Sequence, residues 1–127
     1  MALMETQALV EEAHRQATRS PLTDVASYLQ DLLSRRLVAY IAGVKEAKTV
    51  SRWATGEAVA REESEVRLRV AYEIAQLLIQ FDSPSIIKAW FIGLNPQLGD
   101  TSPAEAIHEG QLKEALAAAR ASFSCPS

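Results

Sequence analysis

The longest periodic stretch of the chain, residues 61–81, places the strongest constraint on the fold. Its apolar residues recur at helical spacing and form one continuous face. The face consists of Val66, Val70, Ile74, Leu77 and Leu78, and it is widened by Leu68, Ala71 and Tyr72. An apolar surface of that width is more than one neighbouring helix covers. The sequence therefore predicts a central core helix surrounded by others, with part of its surface available for a dimer contact.

Three Ser-Pro pairs mark the beginnings of further helices, because serine is a good N-cap and proline suits the first helical turn. The pairs are Ser20-Pro21, Ser83-Pro84 and Ser102-Pro103. The helices that they open are predicted over residues 21–34, 84–92 and 103–110. Glu105 also completes a capping box with Ser102. No stretch alternates as a strand does, so we predict an all-α, compact helical domain.

Residues 37–57 have the pattern of two short helices separated by Gly43, the second of which ends at Gly56. One side of the second helix is polar and basic, since four of its residues fall within about a 100° arc. These four are Lys45, Lys48, Thr49 and Arg52. The opposite side carries Val50 and small residues, and Trp53 is predicted to be a core anchor. This pattern indicates a helix-turn-helix with its second helix exposed.

Charge is distributed unevenly along the chain. Residues 34–61 carry six basic and two acidic side chains, whereas the rest of the chain carries seven basic and fourteen acidic ones. A basic segment in an acidic protein is a candidate phosphate-binding surface. Arg35, Arg36 and Arg61 are then additional DNA-binding candidates. The alternative is a solvated basic face on a helix-turn-helix that does not bind DNA.

The remaining segments are less informative. Residues 1–20 are predicted to be an N-terminal extension, either a frayed helix or disordered. Residues 21–61 form the helix-turn-helix region, residues 62–121 the central helix and a C-terminal helical region ending in a helix over 111–121, and residues 122–127 a tail. The single Cys125 excludes an internal disulfide framework. With no signal peptide or membrane span expected, a soluble cytoplasmic protein is the default.

Two groups of motifs resemble one antitoxin family. The first is Ser51-Arg52-Trp53 followed by Gly56 at the end of the helix-turn-helix. The second runs through Ala89-Trp90-Phe91, Asn95-Pro96, Leu98-Gly99, Ser102-Pro103-Ala104-Glu105 and Gly110. Together they resemble the Xre/MbcA/ParS-like antitoxins over about residues 29–121. Family members commonly have a proline just after the Gly56 region, where this chain has Val59-Ala60-Arg61.

The resemblance implies a helix-turn-helix followed by a small C-terminal helical region that binds a toxin. The implied partner is a RES-domain toxin that consumes NAD, sequestered with its active-site entrance covered. The implied DNA partner is the operator of a shared operon, bound by a homodimer or a toxin–antitoxin hetero-oligomer. Toxin-binding candidates are Trp90, Asn95, Lys113, Arg120 and Phe123. Alternatives are that Trp90 only packs against the central helix and that the tail carrying Phe123 is disordered.

No catalytic pattern accompanies these motifs. A Gly-rich phosphate loop, a metal-spaced set and a paired nucleophile and base are all missing from the sequence. We therefore expect no enzyme activity, cofactor or metal. Two alternatives to the antitoxin remain: a stand-alone helix-turn-helix repressor without a toxin partner, and a scaffold protein that uses the same C-terminal region for another partner.

Overall fold

The structure, a computed structural model, describes residues 2–124 and the side chains of residues 5–122. Within that part of the chain it has eight α-helices, one 3₁₀ turn and no strand, which confirms the predicted all-α class. The helices are α1 Ala2–Arg19, α2 Leu22–Leu33, α3 Arg35–Ala42, α4 Ala47–Thr55, α5 Glu62–Leu78, α6 Pro84–Ile92, α7 Pro103–His108 and α8 Leu112–Ser124, and the 3₁₀ turn is Pro96–Leu98. Among the described residues, no helix combines the length and apolar character that crossing a bilayer requires.

Helix α5 is the central core helix that its broad apolar surface predicts. It packs against α1, α2, α3, α7 and α8. Between residues 71 and 78 every side chain except that of Gln76 is buried. Val66 differs from the predicted core face, since it is 44% exposed. It lines a groove between α1 and α5.

Two arginines of α5 hold the carboxyl ends of neighbouring helices. Arg67 Nε donates to the carbonyl of Ile107 in α7 at 3.0 Å. Arg69 Nη1 donates to the carbonyls of Ala17 and Ser20, each at 2.8 Å, where α1 ends. The last carbonyls of a helix have no partner within it. Each guanidinium therefore satisfies such groups and ties α1 or α7 to the central helix.

The N-terminal segment differs from the expected frayed or disordered extension. Helix α1 is 18 residues long, and its Ala13 and Ala17 are buried where it packs against α5. Alanines bury little area, so they give a weak signal in the sequence, but they allow two helices to approach closely. Arg69, which holds the end of this helix, lies about fifty positions further along the chain.

The Ser-Pro signals identify two of the three helix starts correctly. Ser83 accepts a hydrogen bond from the Ile86 amide, and Ser102 accepts one from the Glu105 amide. Ser20 is not an N-cap, because α2 begins at Leu22 with Pro21 as its cap residue. The carbonyl of Ser20 instead completes the end of α1. At the other end of the chain, α8 continues to Ser124, past the predicted end at residue 121.

Candidate functional site

Helices α3 and α4 form the predicted helix pair, and α2 packs against both. Gly43 ends α3 with φ 83° and Gly56 ends α4 with φ 84°, both in the left-handed region that glycine tolerates best. Val50 and Trp53 are the buried residues of α4. Trp53 is only 3% exposed, so it is a core anchor, as predicted, and is not available to stack on a base.

The polar side of α4 faces outward. Lys48 and Arg52 are exposed, and Thr49 is half-buried. Lys45 is exposed too, but it lies before the helix and not in it as predicted, because α4 begins only at Ala47. The other DNA-binding candidates, Arg35, Arg36 and Arg61, are exposed as well. Arg35 and Arg36 open α3, whereas Arg61 precedes α5 and lies outside the α3–α4 pair. The structure thus leaves a basic surface on the helix pair accessible to an anionic partner.

Ser51 connects this basic surface to α2. Its hydroxyl donates to Gln30 Oε1 and accepts a hydrogen bond from Arg35 Nη1, both at 3.3 Å. Arg35 is thereby held against α4 at Ser51, the residue directly before Arg52. The sequence predicts Arg35 as a phosphate contact, but its orientation depends on Ser51, which is itself held by Gln30. Gln30 and Ser51 lie 21 residues apart, so local sequence patterns do not reveal this arrangement.

A cleft of about 380 Å³ opens beside the turn between α3 and α4. Arg36, Tyr40 and Lys45 are among its lining residues. The ring of Tyr40 stacks on that of His108, with centroids 4.3 Å apart and an interplanar angle of 6°. Burial raises the pKa of Tyr40, and the carboxylates of Glu105 and Glu109 raise this pKa further. The Tyr40 phenol therefore stays protonated beyond its ordinary range, as a hydrogen-bond donor.

Helix α6 presents a second, chemically different surface. Ile87 and Phe91 are fully buried, yet the outward side of the helix is also apolar. Ile86 is 54% exposed, Ile92 56% and the following Leu94 74%. Lys88 is the one charged residue in this helix. These exposed apolar residues, on α6 and just after it, form a candidate protein-contact surface beside the exposed Lys88, because apolar surface is costly to leave in water.

The toxin-binding candidates near α6 have partly structural roles. Trp90 is half-buried and meets Phe91 edge-on, with ring centroids 5.3 Å apart. The Trp90 side chain packs against the core while keeping part of its surface accessible. Asn95 Oδ1 accepts a hydrogen bond from the Gln97 amide at 2.9 Å. The side chain of Asn95 therefore satisfies its own loop, as its position before Pro96 predicts.

The remaining candidates lie on α8. Lys113 is exposed near the beginning of the helix, and Arg120 lies seven residues later on the same side. Arg120 Nη2 lies 4.0 Å from Glu73 Oε2, so it pairs with a carboxylate of its own chain. The side chain of Phe123 falls outside the described residues. The structure therefore supports Lys113 as an accessible cation and gives Arg120 an internal partner.

Glu73 is a buried acid that the sequence interpretation missed. It is 5% exposed on α5, and its Oε1 lies 3.2 Å from Nδ1 of His14 on α1. Its Oε2 lies near Arg120 on α8 and has no hydrogen-bond partner among the residues that the structure describes. The carboxylate thus links three helices. The sequence does contain a signal for this buried acid, because Glu73 is a lone glutamate on the broad apolar face, between Tyr72 and Ile74.

These surfaces are suited to binding. Across the described residues, no three His, Cys, Asp or Glu side chains come together where they would hold a metal ion. The comparisons with protein-family models, with curated proteins and with solved structures find no match to this chain. The basic surface of α3 and α4 and the apolar surface of α6 are therefore the basis for a functional proposal.

Proposed function

We propose that this chain is the antitoxin of a type II toxin–antitoxin pair that acts in the cytoplasm. It binds a RES-domain toxin that degrades NAD and neutralises it by covering the entrance to the toxin's active site. It also represses its own operon by binding operator DNA, as a homodimer or within a toxin–antitoxin hetero-oligomer. The chain acts by binding, without catalysis and without a cofactor.

The apolar outer side of α6 is the observation that carries this proposal. Ile86 and Ile92 are each more than half exposed, and the helix lies in the part of the chain with the most specific resemblance to the antitoxins. Covering this surface with a protein partner removes apolar area from water, at about 25 cal/mol for each Å² buried. Trp90 borders the same surface, and aromatic residues often contribute strongly to binding.

The basic surface supports the second activity. Lys48 and Arg52 lie on one exposed side of α4, and the exposed Lys45 lies in the turn just before it. The exposed side of a recognition helix is where base-reading residues are presented. An arginine can bridge two acceptors of guanine in the major groove, while lysines contact phosphates. A dimer would recognise two half-sites about 34 Å apart. A stand-alone repressor without a toxin partner would use this surface alone, and it is the second candidate function.

Inhibition of the toxin is the decisive experiment. A purified RES-domain toxin encoded next to this chain is mixed with increasing amounts of the full chain, and NAD consumption is followed. We expect consumption to stop near equimolar protein. Continued consumption in the presence of a stoichiometric excess would contradict the antitoxin proposal. Binding of the chain to its own promoter without any effect on the toxin would favour the stand-alone repressor.

A further inference from the structure

Two side chains from the second half of the chain bond to the end of α3, the first helix of the pair. His108 Nδ1 lies 2.6 Å from the carbonyl oxygen of Tyr40. Ser64 Oγ donates to the carbonyl oxygen of Ala42 at 2.8 Å, and this bond is buried. His108 ends α7 and Ser64 lies in the first turn of α5. Neither residue belongs to the helix pair, yet both act on its turn.

Two amides of the turn donate hydrogen bonds to carbonyls in the last turn of α3. Val44 N donates to the carbonyl of Ala39 at 2.9 Å, and Gly43 N donates to that of Tyr40 at 3.1 Å. This is a Schellman ending, in which the two amides after the helix close back on its last turn. The Ala42 carbonyl is left over by this arrangement. A buried carbonyl without a partner is costly, so the bond from Ser64 completes the turn.

The contact of His108 requires a proton on Nδ1. A carbonyl only accepts hydrogen bonds, so Nδ1 is the donor to the Tyr40 carbonyl. The ring also stacks on Tyr40, which adds a second contact at the same point. Glu105 and Glu109, which are close to His108 in sequence, raise the pKa of the Tyr40 phenol.

Helix α4 lacks a strong cap of its own. Its N-cap residue, Glu46, makes no side-chain cap hydrogen bond. The beginning of α4 is therefore placed by the preceding turn and by the buried Val50 and Trp53 below it. We propose that His108 and Ser64 are positioning residues: by holding the turn before α4, they fix the position of this helix and of its basic side. This inference rests on the DNA-binding part of the proposed function.

The test separates the two contacts of His108 in the full chain. His108→Phe keeps an aromatic ring on Tyr40 but removes the Nδ1 donor, whereas His108→Asn keeps a donor in a similar position without the ring. His14→Phe, at the other histidine, is the matched control. Affinity for promoter DNA is measured over a range of salt concentrations, and amide exchange is followed at Gly43 and Val44 without DNA.

We expect His108→Phe to weaken DNA binding about fivefold, the equivalent of one hydrogen bond. The salt dependence should stay unchanged, because the number of phosphate contacts is the same. Exchange at Gly43 and Val44 should be faster than in the wild type. His108→Asn should restore binding to within about twofold of the wild type, since the donor is retained. His14→Phe should leave both readouts unchanged.

Three results would overturn the inference. In the first, His108→Phe has wild-type affinity and wild-type exchange. In the second, the salt dependence falls by nearly one unit, which would mean that His108 contacts a phosphate directly. In the third, His108→Asn is as weak as His108→Phe. If the wild-type chain binds no promoter DNA, the DNA-binding function fails, and exchange at Gly43 and Val44 still decides whether His108 holds the turn.

Discussion

Helices α4 and α6 have the same length and the same kind of anchor but opposite outer surfaces. Each has nine residues, and each buries two large side chains, Val50 and Trp53 in α4 and Ile87 and Phe91 in α6. The outward side of α4 is basic, whereas that of α6 is apolar. A basic face is stable in water, but an apolar face is stabilised when a partner covers it. The difference is the reason why we propose phosphate binding for α4 and protein binding for α6.

The largest expected effect comes from removing the buried aromatic ring that anchors each of the two helices. Trp53→Ala in α4 and Phe91→Ala in α6 should each lower the free energy of unfolding by about 3–5 kcal/mol. Each substitution removes a buried ring and leaves a cavity in its place. Denaturant unfolding measures both values. Lys88→Ala is the control, and it should stay within about 0.5 kcal/mol of the wild type. A loss below 1 kcal/mol at either ring would mean that the two helices are not equally anchored.

The next effect separates the outer surface of α6 from that of α4. Ile86→Asp should weaken toxin binding about thirtyfold, or about 2 kcal/mol, by placing a charge within the apolar contact. The helix should tolerate this change, because an acid in the first turn suits the helix dipole. Titration calorimetry with the purified toxin measures the affinity.

Val59→Asp is the matched control for Ile86→Asp. Val59 is 90% exposed and lies between α4 and α5, so it is an apolar residue of the surface outside α6. This control should keep wild-type toxin affinity. Equal losses from the two substitutions would show that added negative charge, and not the α6 surface, weakens the complex.

An effect of similar size is expected on the basic side. Arg52→Ala should cost about 1–3 kcal/mol of DNA affinity if its guanidinium reads a base, and binding should become less sequence-specific. Toxin binding should not change, since Arg52 lies on α4. Lys88→Ala removes a cation from α6 and should leave DNA binding intact. Fluorescence anisotropy with promoter and scrambled DNA distinguishes these outcomes. If Lys88→Ala lowers DNA affinity as much as Arg52→Ala does, the effect is a diffuse electrostatic one.

The smallest effect concerns how the two helices begin. Ser83 caps α6 through a hydrogen bond to the Ile86 amide, whereas Glu46 makes no such bond at the start of α4. Ser83→Ala should therefore lower the free energy of unfolding by about 1 kcal/mol, while Glu46→Ser should raise it by about 0.5 kcal/mol. Thermal unfolding of both variants checks the signs. A loss of stability in Glu46→Ser would mean that the Glu46 carboxylate has a structural role of its own.

Local signals predicted much of the helix layout and of the basic surface. Gly43 and Ser83-Pro84 marked helix boundaries correctly, because caps and left-handed turns depend on residues within one turn of the chain. The arc of Lys48, Thr49 and Arg52 followed from helical spacing alone, whereas Lys45, predicted on the same arc, lies before α4. The same reasoning failed at Ser20-Pro21, where Pro21 is the cap residue of α2 and the Ser20 carbonyl accepts a hydrogen bond from Arg69 at the end of α1.

The contacts that complete the candidate site were not predictable in this way. His108 meets Tyr40 across 68 residues, and His14 meets Glu73 across 59. Such pairs leave no periodic pattern, since each partner is a single polar residue in an otherwise ordinary helix. The packing of α1 was missed for a related reason, because its buried contact depends on small alanines and on a helix far away in the sequence.

The sequence by itself determined the all-α class, the central helix, most helix boundaries and the residues that share the basic arc of α4. These properties depend on residues within a few positions of one another. Only the tertiary structure decided that α1 packs against α5, that the outer side of α6 stays uncovered, and that Ser64 and His108 hold the turn before α4. Whether a helix face is buried depends on which distant helices reach it, and spacing along the chain does not contain that information.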